Sequence, residues 1–126
     1  MMTTMPASQI ITTKEDVQAF ADSCVLLRSQ WEHFQILFEG TDLKRELLQT
    51  TAPTFFGDLN RLFMEHLVLH ICRLTDNAQT MGRKNLTIKF LIEHSDFSAA
   101  PATLDRLQRI SADIHGFRDL ILPARN

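Results

Sequence analysis

The chain has 126 residues, 44% of them hydrophobic, a net charge of −2 and two cysteines. That length suits a single domain with its own core, and the slightly acidic balance excludes avid sequence-blind nucleic-acid binding, which needs a basic face. Cys24 and Cys72 lie far apart among apolar neighbours, which argues against a disulfide scaffold; no apolar run nears the roughly 18 residues of a membrane span, and Met1–Pro6 lacks a signal peptide's basic start, so a cytoplasmic setting is expected.

Residues 1–11 read as a flexible polar leader and residues 12–126 as one helical domain. Thr13 begins the first helix with a capping signal, and Glu15 and Asp16 put negative charge in its first turn. Val17, Phe20, Cys24, Leu27, Trp31, Phe34 and Phe38 follow at alternating intervals of three and four residues. Such a seam predicts lengthwise burial against near-parallel neighbours, in an intramolecular bundle rather than a free coiled coil. Gly40 suits the left-handed position that ends the helix. Leu43, Leu47 and Leu48 then share one face of a short helix, with Lys44, Arg45 and Glu46 on the other.

Pro53 predicts the start of a third helix, capped by Thr50 or Thr51 and running to about Leu74. Its second half is apolar almost all round, which predicts a central, buried element. His66, His70 and Arg73 are the polar exceptions. Arg73 and Asp76 are three residues apart and can pair across one turn; equally, Arg73 can serve as a helix-end cation. A buried arginine requires a carboxylate nearby, so Arg73, Asp76 and His70 form a candidate supporting polar site.

Residues 75–85 read as an irregular polar stretch. Asn85 is expected to cap a short helix through Leu86–Ile92. Pro101 starts the last long helix, with Leu104, Leu107, Ile110, Ile114, Phe117 and Ile121 as its buried stripe and Gly116 inside it. No strand-like alternation of useful length is visible, so the fold class is all-α, a bundle of about four main helices.

Few patterns carry chemistry. His66 and His70 have the i, i+4 spacing of metal ligands, but no third ligand stands at a fixed spacing, so no metal and no cofactor are expected. Arg83, Lys84 and Lys89 form a local cationic cluster, either a solvated loop or positioning contacts to an RNA backbone. No nucleophile elbow or Walker loop is present. Cys24 and Cys72 sit on apolar helix faces, where a thiol is inert.

Four segments together resemble the abortive-infection (AbiU-like) branch of the HEPN superfamily of ribonucleases. They are Phe55-Phe56-Gly57-Asp58-Leu59, Leu69-His70-Ile71-Cys72-Arg73-Leu74-Thr75-Asp76, Arg83-Lys84-Asn85-Leu86-Thr87 and Leu122-Pro123-Ala124-Arg125-Asn126. The resemblance implies an α-helical bundle that dimerises and brings two Arg-x4-6-His motifs together across the interface, in a metal-independent RNA-cleaving site. Carried over, Arg125 matches the motif arginine and Asn126 the polar residue after it, so these two are the candidate catalytic residues. Pro123 reads as the first residue of a new helix, and no residue corresponds to the motif histidine. The expectation is therefore a half-motif and an inactive chain.

The resemblance further implies a phage-defence or toxin–antitoxin setting, with a homodimer, RNA and an antitoxin protein as possible partners and no membrane. Many members are controlled by an antitoxin that modifies a tyrosine beside the motif; this chain contains none. The competing readings are a non-catalytic helical dimerisation or interaction module, favoured by the acidic charge and absent histidine, and a metal-binding bundle resting on His66 and His70 alone.

Overall fold

The computed structural model describes residues 10–125, and side chains as far as residue 123. The fold is all-α: three long helices, two short ones and one very small hairpin. The first helix, α1, spans Lys14–Phe38. Its start is a closed capping box. The Thr13 hydroxyl accepts from the Asp16 N–H at 3.1 Å, and the Asp16 carboxylate accepts from the Thr13 N–H at 3.0 Å, satisfying two orphan donors. Glu39 caps its C-terminus. Gly40 follows at φ +147°, a conformation L side chains rarely adopt, so glycine is required there even though the helix does not end in the left-handed α form.

Helix α2, Asp42–Thr51, is capped by Thr41, whose hydroxyl accepts from the Lys44 N–H. Helix α3, Pro53–Thr75, starts at its proline with Ala52 as N-cap and no side-chain cap bond. The expected caps do otherwise: the Thr50 hydroxyl donates back to the Glu46 carbonyl at 2.9 Å. Proline at the first position lacks the N–H a cap would satisfy, so the loss is small.

The stretch expected to be irregular is an antiparallel hairpin of β1, Gln79–Thr80, and β2, Arg83–Lys84. Met81 and Gly82 turn it at φ +50° and +76°, the positive pair a two-residue hairpin requires. Asn85 does not cap the next helix. Its amide donates to the Asn77 carbonyl at 2.9 Å and the Thr80 hydroxyl at 2.6 Å, closing the hairpin base. Thr87, fully buried, caps α4, Ile88–His94, by accepting from the Phe90 N–H at 3.1 Å. Helix α5, Pro101–Ile121, runs into a 3₁₀ turn, Leu122–Arg125.

The central helix is α3. Helices α1 and α5 each pack on it rather than chiefly on one another, α4 packs on α5 and α3 at one end, and the 3₁₀ turn returns to α3. The α1–α3 contact is aromatic. Phe34 stacks on Trp31, with centroids 5.6 Å apart, and Phe34 and Phe38 both meet Phe63 at 6.3 and 6.4 Å. The deepest cluster is Ala78, Phe90 and Leu91, with Ile10 and Phe20 packed against it.

Ile10 is held there by backbone. The Ile10 carbonyl lies 2.9 Å from His94 Nδ1, and the Thr12 N–H donates to the His94 carbonyl at 2.9 Å. The end of the expected leader is thus strapped to α4; residues 1–9 lie outside the described residues.

Burial departs from expectation in one systematic way. The α1 seam is only partly covered: Phe34 is buried, whereas Trp31 is 42% exposed and Val17 and Cys24 are exposed. Helix α3 is central but not enclosed, with Phe55, Leu62, Met64 and Leu69 exposed. Helices laid beside one central helix cover its flanks and leave its other faces open. A cost of core size for losing Trp31 in the single chain therefore does not follow, since a cavity penalty needs a closed surround.

Phe90 is fully buried and Phe55 mostly exposed. Phe90→Ala is expected to cost about 3–5 kcal/mol, and Phe55→Ala less than about 1 kcal/mol. Urea unfolding of the two variants tests this; equal losses would mean the core lies elsewhere.

Candidate functional site

The C-terminus of α3 carries the densest polar arrangement that spans two long helices. The last four carbonyls of a helix lack intrahelical partners and bear partial negative charge. Here the Thr75 carbonyl is taken by α5. Arg118 Nη1 donates to it in a short hydrogen bond, and His115 Nε2 lies 3.1 Å from it. Arg118 Nη2 donates to the Asp76 carboxylate at 2.9 Å, so one guanidinium binds the helix end and the carboxylate after it. The fork geometry of arginine allows both at once.

Thr75 itself is buried, and its hydroxyl donates to the Ile71 carbonyl at 2.8 Å. His115 Nδ1 lies 2.6 Å from the Ser111 carbonyl. Residues 115 and 118 fall on one face of α5 because they are one turn apart. Together they fasten the last turns of α5 to the end of α3, just before the 3₁₀ turn that contains Arg125.

Arg73 does not join this cluster. Its position is solvent-exposed, and the guanidinium that meets Asp76 belongs to Arg118. The candidate trio of Arg73, Asp76 and His70 is therefore not brought together as one site. Three residues after position 73, the chain has already left the helix, since Asp76 is its extended C-cap. The sequence signal for the actual partners was weak. His115 and Arg118 flank an apolar stripe, and only the antiparallel apposition of α5 and α3 aims them at Thr75.

His70 sits on a different side of α3. It is half-buried, and its Nδ1 is sheltered from solvent without a hydrogen-bond partner. Burial first, then the nearby His66 and Arg73, pushes its pKa below the ordinary histidine value, because each disfavours the charged ring. Its ring meets His66 edge-on at 5.8 Å, and His66 Nε2 lies 3.0 Å from Gln30 Oε1 on α1. Among the described residues no three His, Cys, Asp or Glu side chains converge as metal ligands.

The cationic cluster is divided by the hairpin. Lys84 reaches back to α1 and donates to Asp16 at 2.8 Å, while lying 5.8 Å over the Phe90 ring. That hydrogen bond, followed by the Thr13 N–H, holds the Asp16 carboxyl below its usual range. Lys84 thus ties the hairpin to the capping box. Lys89 Nζ lies 3.5 Å from Asn77 Oδ1, and Arg83 is exposed at the hairpin. An open cleft of about 1020 Å³ lies beside Lys89, bordered by Asn77, Gln79, Gln108, Ser111 and His115.

Arg125 ends the 3₁₀ turn, an element that packs against α3. Its side chain, and Asn126 altogether, lie outside the described residues. Cys72 is buried, as an inert core thiol would be, whereas Cys24 is exposed along an apolar groove. Burial nonetheless pushes the Cys24 thiol up, so it is not activated as a nucleophile. No helix among the described residues is long and apolar enough to cross a membrane.

A family model described as AbiU2, of the HEPN class, matches residues 12–126. No curated protein and no solved structure matches the chain.

Two measurements test this geometry. Arg118→Ala removes a charge-assisted pair with Asp76 and leaves the Thr75 carbonyl to His115 alone; it is expected to cost about 1.5–3 kcal/mol, read as a lower urea midpoint, whereas Arg73→Ala should change little. His70 makes the pH dependence. Its folded-state pKa lies below 6.5, so the unfolded chain takes up the proton first as pH falls. The stability this contributes is present above about 6.5 and is lost on acidification through the folded-state value. Between pH 7.5 and 5.5 the parent chain should lose more stability than His70→Asn; identical losses would exclude His70 as a source.

Proposed function

The chain belongs to the AbiU2 family of HEPN domains, and from that premise we propose that it supplies half of a composite, metal-independent RNA-cleaving site used in abortive infection. The observation that carries this reading is the family match, which runs from the capped start of α1 to residue 126. In the chemistry that the HEPN resemblance implies, a motif histidine acts on the ribose 2′-hydroxyl or positions the scissile phosphate, and a motif arginine stabilises phosphate charge. Arg125 takes the arginine role and Asn126 the place beside it.

The Thr75–Asp76–Arg118–His115 clamp supports the reading because it fastens α5 one helical turn before the 3₁₀ turn. A guanidinium that must meet a phosphate benefits from a rigid base. Because the site is composite, two copies must meet. The reading also places the protein in the cytoplasm, with RNA as substrate and an antitoxin protein as its control. Control by modification of a tyrosine finds no acceptor in these residues, since the sequence has none.

A second reading, a non-catalytic helical interaction module, is favoured by the net charge of −2 and by the engagement of Lys84 with Asp16. RNA cleavage separates the two only when the histidine is present. Within these 126 residues no histidine follows Arg125. An arginine with a pKa above about 12 cannot serve as a general base, and losing that base costs about 10²–10⁴-fold in rate. The 126-residue chain is therefore expected to bind single-stranded RNA weakly, with affinity falling steeply in salt, and not to cleave it. Incubation of this chain with end-labelled RNA, with Arg125→Ala as control, tests the assignment of roles, and Arg125-dependent cleavage by a version that carries the motif histidine separates the two readings. Arg125-dependent cleavage by this chain itself would overturn this assignment of roles and turn attention to His70 and His115.

A further inference from the structure

Three elements build the open cleft of about 1020 Å³ beside Lys89. Asn77 and Gln79 reach it from the start of the hairpin, Lys89 and Glu93 from α4, and Gln108 and Ser111 from α5. Ile92 and Ala112 add apolar surface. Among the residues that line it, Lys89 is the one ammonium and Glu93 the one carboxylate.

We propose that this cleft binds a guanine nucleotide, free or within a single strand of RNA, with Glu93 accepting from N1–H and N2–H of the base and Lys89 donating to its O6. For a guanine within RNA the proposal rests on the RNA-cleaving function proposed above; for the free nucleotide it does not.

Two observations carry it. The first is that two opposite charges share a face without joining. Lys89 and Glu93 are one turn apart on α4 and so lie side by side, yet each turns to a weaker contact. Lys89 Nζ lies 3.5 Å from Asn77 Oδ1, and Glu93 Oε2 lies 4.0 Å from His94 Nε2. Lys89 is half-buried, and a partly desolvated ammonium without a close acceptor lacks the hydrogen bonds that water would give it. The His94 contact brings Glu93 no donor from the neutral ring. His94 Nδ1 lies 2.9 Å from the Ile10 carbonyl, which can only accept, so the neutral ring holds its hydrogen at Nδ1 and presents a bare Nε2. Both charges therefore keep capacity for a ligand.

The second is the order of those charges. A free phosphate drawn to Lys89 would meet the Glu93 carboxylate one turn away, so a bare anion suits the cleft poorly. A ligand edge that sets an acceptor beside donors suits it well. Guanine presents O6, N1–H and N2–H in a row on its Watson–Crick edge, the edge by which unstacked bases are read. A carboxylate can take two parallel N–H bonds at once. Guanine offers it two adjacent N–H groups there, whereas adenine, cytosine and uracil each offer one. A trans peptide group points its N–H and C=O to opposite sides and cannot supply the row. The amides of Asn77, Gln79 and Gln108 both donate and accept, as the ribose hydroxyls require.

The cleft is distinct from the motif. Ser111 stands about 20 Å before the end of the 3₁₀ turn along the chain axis. In an RNA strand the cleft would therefore hold a flanking nucleotide, not the one whose phosphate meets Arg125.

The test titrates GMP, IMP, AMP, UMP and inorganic phosphate into the isotope-labelled chain and follows its amide resonances. Two RNA hexamers follow, one of adenosine alone and one with a single central guanosine. GMP is expected to shift residues 77–79, 89–94 and 108–112 saturably. It should bind about fivefold or more tighter than AMP, UMP or IMP, which lacks the N2 amino group. Glu93→Gln should abolish that preference, and Lys89→Gln should weaken GMP about fivefold or more. Arg61→Gln, an exposed cation on α3 outside the cleft, should bind as the parent does, with circular dichroism checking that each variant folds. A tighter guanosine hexamer supports the site within RNA; hexamers that bind alike beside a GMP preference support the free nucleotide. Equal affinity for the four nucleotides, a preference that survives Glu93→Gln, or equal shifts with inorganic phosphate overturns the proposal. A GMP preference in a chain whose histidine-bearing version cleaves no RNA leaves the cleft standing and removes the RNA-cleaving function; cleavage without any guanine preference does the reverse.

Discussion

A single central helix flanked by two others cannot enclose a core, and most of this structure follows from that constraint. Helix α3 contacts both α1 and α5, which make little contact with each other. On the α1 flank large side chains meet in the Phe34–Phe38–Phe63 cluster. The faces of α3 between the flanks stay open. The fully buried side chains therefore gather where a fourth element arrives, around Phe90 and Thr87 of the α4 segment and Cys72 and Thr75 near the end of α3.

The second organising interaction is the meeting of α5 with the negative end of α3. Arg118 bridges the Thr75 carbonyl and the Asp76 carboxylate, and His115 approaches the same carbonyl. A helix end buried without donors would cost the desolvation of its carbonyls. Here the two side chains that meet this need also fix the direction in which α5 delivers the 3₁₀ turn. At the same end of α3, on the α1 flank, Lys84 joins the hairpin to the Asp16 of the α1 capping box.

On the function proposed for this AbiU2-family chain, these features share a purpose. A site shared by two copies would need a rigid arm for its motif. The clamp at Thr75 is suited to supply it. With a net charge of −2 and Lys84 engaged by Asp16, the surface offers few free cations for sequence-blind phosphate contacts, so on that reading recognition of RNA would rest on a few local groups.

Much of the local structure was legible in the residue order. The three-and-four spacing from Val17 to Phe38 marked α1 as a helix, Thr13 and Asp16 marked its start, and Pro53 and Pro101 marked the starts of α3 and α5, because capping and proline chemistry act within one turn. The all-α class followed from the same periodicity. The two-residue strands around Met81 and Gly82 escaped notice, since so short a pair has no alternation to display. Tertiary structure alone decided which apolar residues are covered. Periodicity states that Trp31 and Phe34 share a face, but only the position of α3 buries Phe34 and leaves Trp31 at the groove. It likewise decided that Asp76 meets Arg118, 42 residues away, rather than Arg73 three residues before it, because a helix that ends at Thr75 turns its last side chains apart and the neighbouring helix supplies the guanidinium.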